Sequence, residues 1–224
     1  MKDKIEIHKK KVKNVTLKVK RDGSIHLTVP EAATDDYIER VIANKEEWIE
    51  SQLKHFNENY QKPKEKEMVS GESFKYLGKN YRLKIIESNE EYVRLYRGYI
   101  EIHVKDKNNT AKKQELLKKW YQEKAKKKFA ELVHEYEQIV KEEVNSIRVI
   151  TMQTRWGSCN VERKNINLNL ELIKKPRYCI EYVILHELAH LKYPNHSKQF
   201  WEYMSVHMPN WEWRKNKLES INIY

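Results

Sequence analysis

From residue 12 to residue 30 the chain alternates apolar and polar positions, with Val15, Leu17 and Val19 before Asp22-Gly23 and Ile25, Leu27 and Val29 after it. A period of two broken at Asp-Gly predicts a β-hairpin with one buried face, since the tight turn needs residues that tolerate positive φ. His26 falls on the outer face and reads as a surface residue. The period then lengthens. Tyr37, Ile38, Val41, Ile42, Trp48, Ile49 and Leu53 recur at helical spacing behind Thr34-Asp35-Asp36, which can cap a helix packed on the hairpin. Residues 58–68, charged and containing Pro63, read as a linker or exposed loop. Strand patterns return over 73–104, broken at Gly78-Lys79-Asn80, Ser88-Asn89 and Gly98, and predict a small antiparallel sheet that continues or faces the hairpin. From Thr110 to about Asn145, Leu116, Leu117, Trp120, Tyr121, Phe129, Leu132, Val133, Tyr136, Ile139, Val140 and Val144 predict one long helix or a pair.

The pattern tightens again in the last third. Residues 147–153 read as a buried or edge strand, and Thr154-Arg155-Trp156-Gly157-Ser158-Cys159-Asn160 as a glycine-centred turn. Residues 165–170 alternate strictly, with Ile166, Leu168 and Leu170 on one face and Asn165, Asn167 and Asn169 on the other. Asparagine is a poor strand former, so a row of three predicts hydrogen-bonding work or a closed edge. Behind Pro176, Tyr178, Ile180, Val183, Ile184, Leu185, Leu188, Ala189 and Leu191 make a helix that is apolar nearly all round and therefore buried. Pro194 ends it, because proline cannot continue a helix and biases Tyr193 out of one.

Composition adds little to fold and more to class. The 224 residues suffice for one large domain or for a core with an appendage, and 39% hydrophobic residues with 14 Tyr and 6 Trp exclude a disordered chain. No apolar run is long enough to span a bilayer, and the start lacks the apolar stretch of a secretory signal, so the expected setting is cytoplasmic with no membrane partner. Cys159 and Cys179 are too few for a disulfide framework or a four-cysteine zinc site and read as reduced thiols. The net charge of +11 is compatible with nucleic acid or an acidic substrate, but most lysines are interleaved with glutamates, as on an ordinary soluble surface. The stretch 112–128 stands apart, with eight lysines against two glutamates. It is either a solvated helix face or a phosphate-attracting surface for nucleic acid.

The candidate chemistry lies on the buried helix. His186 and His190, four residues apart, share a helical face and can present two imidazole nitrogens to one ion, while Glu187 lies about 100° round the axis, within reach of a metal-bound water. Burial gives the pattern weight, since two histidines and a glutamate on an apolar helix each need a partner and a metal satisfies all three. His196, past the proline, is the preferred third ligand; the alternatives are that it caps the following helix, or that Glu202 on that helix takes the position. Arg155, Trp156 and Ser158 could line the cleft, with Arg155 facing an anionic substrate or an oxyanion; a structural turn with a cation over the indole is the other reading. Asn167 and Asn169 offer a polar strand face to an extended substrate, and Tyr203 and His207 are candidate transition-state donors.

The six-residue step from His190 to His196 is that of the metzincins, although Tyr193 stands where their glycine turns the chain, and a glutamate such as Glu202 is the gluzincin-like choice. Taken in order, TRWGSC, the Asn-rich strand, His186-Glu187-Leu188-Ala189-His190 and Asn195-His196-Ser197 followed by Phe200-Trp201 resemble the YgjP-like metallopeptidases, compact zincin-type proteins distantly similar to SprT-like proteases. The match is strong over 147–213 and consistent in layout before it. The resemblance implies an α+β chain with an N-terminal antiparallel β/helix region over 1–108 and a zincin-like metal-binding catalytic core over 109–224. It implies Zn2+ on His186, His190 and His196 with Glu187 catalytic, but carries over no substrate; the first reading is a hydrolase of polypeptides. Two alternatives stay open: a metal-dependent nucleoside triphosphate pyrophosphatase, and a non-catalytic DNA-associated zinc protein.

Overall fold

Residues 5–19, 23–59 and 66–220 are described by a computed structural model of the chain. Among them it is mixed α+β, with six α-helices and three sheets. Two compact units emerge, one of the described residues up to Asn59 and one of those from Lys66 onward.

In the first unit β2 (Thr16–Val19) and β3 (Ile25–Pro30) form the expected antiparallel pair. Gly23 has φ 81°, while Asp22 lies outside the described residues. A strand absent from the sequence reading, β1 (Ile5–Lys10), adds parallel to β3 and makes the order β1-β3-β2. β3 is thus central, which is why Ile25, Leu27 and Val29 are its buried residues. They pack with Ile38, Ile42 and Ile49. The single helix expected here is two, α1 (Asp35–Ala43) and α2 (Glu46–Asn59). Thr34 caps α1 by accepting from the Tyr37 backbone N–H at 3.4 Å, and Asn44 ends it. Tyr37 and Trp48 are exposed despite their apolar spacing.

The second unit begins before the expected loop has ended. Glu58 and Asn59 belong to α2, residues 60–65 lie outside the described residues, and Met68 is buried in the larger core. Strands β4 (Ser73–Tyr76), β5 (Lys79–Glu87), β6 (Tyr92–Tyr96) and β7 (Tyr99–Val104) follow in the order β4-β5-β7-β6. The sheet is mixed rather than antiparallel, because β5 and β7 run parallel. The most apolar strand takes a central place: Ile100, Ile102 and Val104 of β7 are fully buried. Both hairpin turns, Leu77-Gly78 and Arg97-Gly98, have positive φ at both residues, matching the right-handed twist of the strands they join.

Helix α3 (Thr110–Val140) is one helix of 31 residues, capped by Asn109 and ended by Lys141 at φ 56°. Its buried stripe includes Trp120, Tyr121, Phe129, Leu132 and Val133, which share a core with β7 and with the later helices. This shared core joins β4–β7 and α3 to the later elements in one compact unit. Much of the lysine-rich stretch on α3 is engaged internally. Lys113 is buried and donates to the Met68 carbonyl at 2.8 Å, Lys112 and Lys119 pair with Glu115, and Lys128 pairs with Glu131. These contacts favour a structural over a nucleic-acid role.

The last sheet holds β8 (Ser146–Ile150), β9 (Gly157–Asn160) and β10 (Asn165–Asn169) in the order β8-β10-β9. A 3-10 helix (Leu170–Lys174) leads to α4 (Arg177–Lys192), α5 (Lys198–His207) and α6 (Trp211–Ser220). α4 is buried along its length, with Cys179, Ile180, Ile184, Leu185, Leu188 and Ala189 inaccessible to solvent. Each large aliphatic side chain so buried contributes about 1.5–3 kcal/mol, so α4 is held by its surroundings more than by helix propensity. Its entry is pinned by the β4–β5 turn: Leu77 and Gly78 donate backbone N–H groups to the Ile173 and Lys174 carbonyls. A Cβ on Gly78 would lie 2.8 Å from Pro176 Cγ. No helix among the described residues is long and apolar enough to cross a membrane.

Candidate functional site

α4 places His186 and His190 one turn apart, and the chain reversal at Tyr193-Pro194 brings His196 back to them. His196 Nε2 lies 2.9 Å from His186 Nε2, and one nitrogen from each of the three imidazoles lies within 4.8 Å of the others. Phe200 forms the floor: its ring centroid is 5.0, 4.8 and 4.9 Å from those of His186, His190 and His196. Trp201 stacks on His196 at 5.5 Å and on Trp211 at 4.4 Å. The start of α5 therefore carries both the loop histidine and its support. Ser197, not His196, caps α5, accepting from the Phe200 N–H.

The donor set suits a divalent cation. Burial holds His186 down to about 3 and also lowers His190, so both rings are neutral and keep a lone pair for a ligand bond. His190 Nδ1 lies 3.2 Å from the Tyr193 carbonyl, which fixes the proton there and leaves Nε2 for an ion. His186 Nδ1 is buried and, among the described residues, has no hydrogen-bond partner. Glu202 is exposed and pairs with Lys198 at 3.5 Å, outside the three-imidazole group.

Glu187 points into the same cleft and is only 6% exposed. Burial pushes its carboxyl up to about 8, with the Arg155 charge pulling the other way. It packs against a glycine: a Cβ built on Gly157 would lie 2.6 Å from Glu187 Oε1 and 2.8 Å from Cγ. Gly157, expected in a turn, is in β9 and is required for space.

The cleft, about 590 Å³, runs between β9, α4 and α6. Arg155, Trp156, Ser158, Cys159 and Val161 form one wall, and Tyr182, Pro194, Lys215, Leu218 and Glu219 the other. The cation over Trp156 is Lys175, at 5.1 Å, which leaves exposed Arg155 to the cleft. Burial and the Glu187 charge push the Cys159 thiol up to about 11, so it is a thiol rather than a thiolate at neutral pH. Tyr182, Lys215 and Glu219 were not singled out from the sequence. Tyr182 could have been, since it precedes His186 by four on one helical face.

The asparagines act differently from expectation. β10 is the central strand, bonded to β8 and β9, so it has no free edge for an extended substrate. Asn167 Nδ2 donates to Ser158 Oγ at 3.1 Å. Asn169 is buried, donates to the Met152 and Arg155 carbonyls at 2.9 and 2.8 Å, and accepts from the Glu171 N–H at 3.2 Å. It thereby fixes the segment that carries Arg155 and Trp156. Asn169→Ala would strand these backbone groups and is expected to cost about 1–3 kcal/mol, read as a lower urea midpoint at unchanged slope. Tyr203 and His207 are not among the cleft-lining residues; Tyr203 donates to the Val140 carbonyl at 3.2 Å and its ring meets His207 edge to face.

Two solved structures are similar over part of the chain. The metallopeptidase zymogen of Pyrococcus abyssi abylysin is 18% identical over 41% of this chain and 92% of its own, with a TM-score of 0.39. The metallopeptidase zymogen of Methanocaldococcus jannaschii jannalysin is 22% identical over 41% of this chain and 93% of its own, with a TM-score of 0.37. No curated protein matches. A model of the YgjP-like metallopeptidase domain matches residues 13–221, nearly the whole sequence, and the chain belongs to that family.

Proposed function

We propose that this chain is a zinc-dependent peptidase with a zincin-like centre, in which His186, His190 and His196 hold the ion and Glu187 is the general base. The observation that carries this reading is the convergence of three imidazoles over Phe200 with the Glu187 carboxylate in one cleft beside an edge strand. Three imidazole ligands would leave a further position open to water, as at catalytic rather than structural zinc sites. Bound there, zinc would supply Lewis acidity, acidifying water and polarising the carbonyl under attack.

The chain's own groups do the rest. Glu187 takes the proton of the attacking water and hands it to the leaving amine, a task suited to a carboxyl raised by burial and lowered by nearby positive charge. Arg155 and Tyr182 line the cleft and are the groups available to the developing oxyanion. The substrate strand adds to β9, the edge neighbouring β10, where Ser158 is oriented by Asn167. Trp156, Val161 and Leu218 give the substrate apolar walls.

The test is turnover of unstructured polypeptides by zinc-loaded protein, beside a panel of nucleoside triphosphates. Peptide cleavage that stops on chelation and returns with zinc is the expected result. Hydrolysis confined to nucleotides, or zinc binding without any turnover, would overturn the reading.

A further inference from the structure

The outer face of the first sheet carries a second cluster of ligand-type side chains. Glu6 and His8 lie two apart on β1, and Glu6 is in register with His26 on β3, so all three project from the face opposite Ile25, Leu27 and Val29. Glu6 Oε2 is 3.0 Å from His26 Nδ1 and 3.7 Å from His8 Nε2, and the two imidazole nitrogens are 3.3 Å apart. We propose that Glu6, His8 and His26 form a second divalent-metal site, taking zinc or a similar borderline ion, that clips the first strand to the centre of its sheet.

Three features support a metal over a simple hydrogen-bonded cluster. First, a tetrahedral ion with ligand bonds of about 2.0–2.1 Å holds its ligand atoms about 3.3–3.4 Å apart, and the three edges bracket that spacing. Second, His26 Nε2 lies 3.2 Å from Ser24 Oγ. With an ion on Nδ1 the ring proton would sit on Nε2 and donate to that hydroxyl, as to the outer partners of metal-bound histidines. Third, the two rings lie nearly parallel, 7° apart, with their nitrogens turned toward one carboxylate oxygen. Two histidines and one carboxylate leave a fourth position to solvent, and the partial exposure of Glu6 and His8 leaves the site reachable. Lys18 is in register with His26 from β2, but it is exposed and its long stem lets the ammonium stay in water.

All ligands come from β1 and β3, so the ion would add a further tie between the edge strand and the centre of its sheet. The site is independent of the three-histidine cleft, and its test keeps the two apart. Chelator-stripped full-length protein is dialysed against micromolar zinc, and bound metal is counted for wild type, His8→Gln, His26→Ala and His190→Ala. The expected contents are about two ions for wild type and about one for each variant. Zinc should still raise the unfolding midpoint of His190→Ala, and this shift should vanish in the His8→Gln, His190→Ala double variant. His8 is partly exposed, so His8→Gln should fold even where His26→Ala does not. A wild type that binds a single ion, or a second ion that survives His8→Gln, would overturn the proposal.

Discussion

Glu187→Gln is expected to keep zinc and lose hydrolysis, with kcat on polypeptides falling roughly 10²–10⁴-fold. The substitution is nearly isosteric and removes only the ability to accept a proton. At this site neutrality is well tolerated, because Glu187 is buried and its carboxyl is already pushed up to about 8. The amide therefore fits the space against Gly157 without burying a new charge. The imidazoles rest on Phe200 and on the Tyr193 carbonyl, neither of which the change touches, so metal content should hold. The measurement is single-variant kinetics beside metal analysis of the same preparation. Wild-type turnover would remove Glu187 from the chemistry; loss of zinc with the activity would make it a support of the ion rather than a base.

The parts of this site that the sequence made legible are those where one helix carries the information. His186, Glu187 and His190 sit on an apolar run whose spacing fixes their faces, and burial follows from the run itself. The alternation of 165–169 likewise gave a strand, but not its neighbours. Whether a strand is central or at an edge depends on partners far along the chain, so β10 was expected to offer an edge that β9 in fact provides. The same blindness hid β1, a short lysine-bearing strand whose parallel pairing leaves no turn signal, and the parallel contact between β5 and β7. The break between α1 and α2 at Asn44-Lys45 has neither glycine nor proline to announce it. Phe200 stood out in the sequence only as part of the motif after His196; the return of the chain through Pro194 puts it beneath three histidines.

Gly157→Ala is the test that reaches furthest beyond the motif, and turnover is expected to fall about 100-fold with zinc retained. Gly157 has no positive φ to protect, so the demand on it is space alone. A Cβ there would sit 2.6, 2.8 and 2.9 Å from Oε1, Cγ and Cδ of Glu187, closer than packed atoms allow. β9 is fixed by its ladder to β10, with Gly157 opposite Leu168, and α4 is fixed in the core, so the carboxylate is the part that can yield. A displacement of about 1 Å at a proton-transfer group is enough for a loss of that order, and the overpacking itself costs about 1–3 kcal/mol. A double variant separates the two effects. Adding Glu187→Asp shortens the side chain by one methylene and relieves the contact, so the unfolding midpoint should recover toward wild type while turnover stays low. Gly157→Ala with wild-type turnover and stability would show that the wall of the cleft gives way instead, and the close packing of β9 on Glu187 would then have no part in positioning the base.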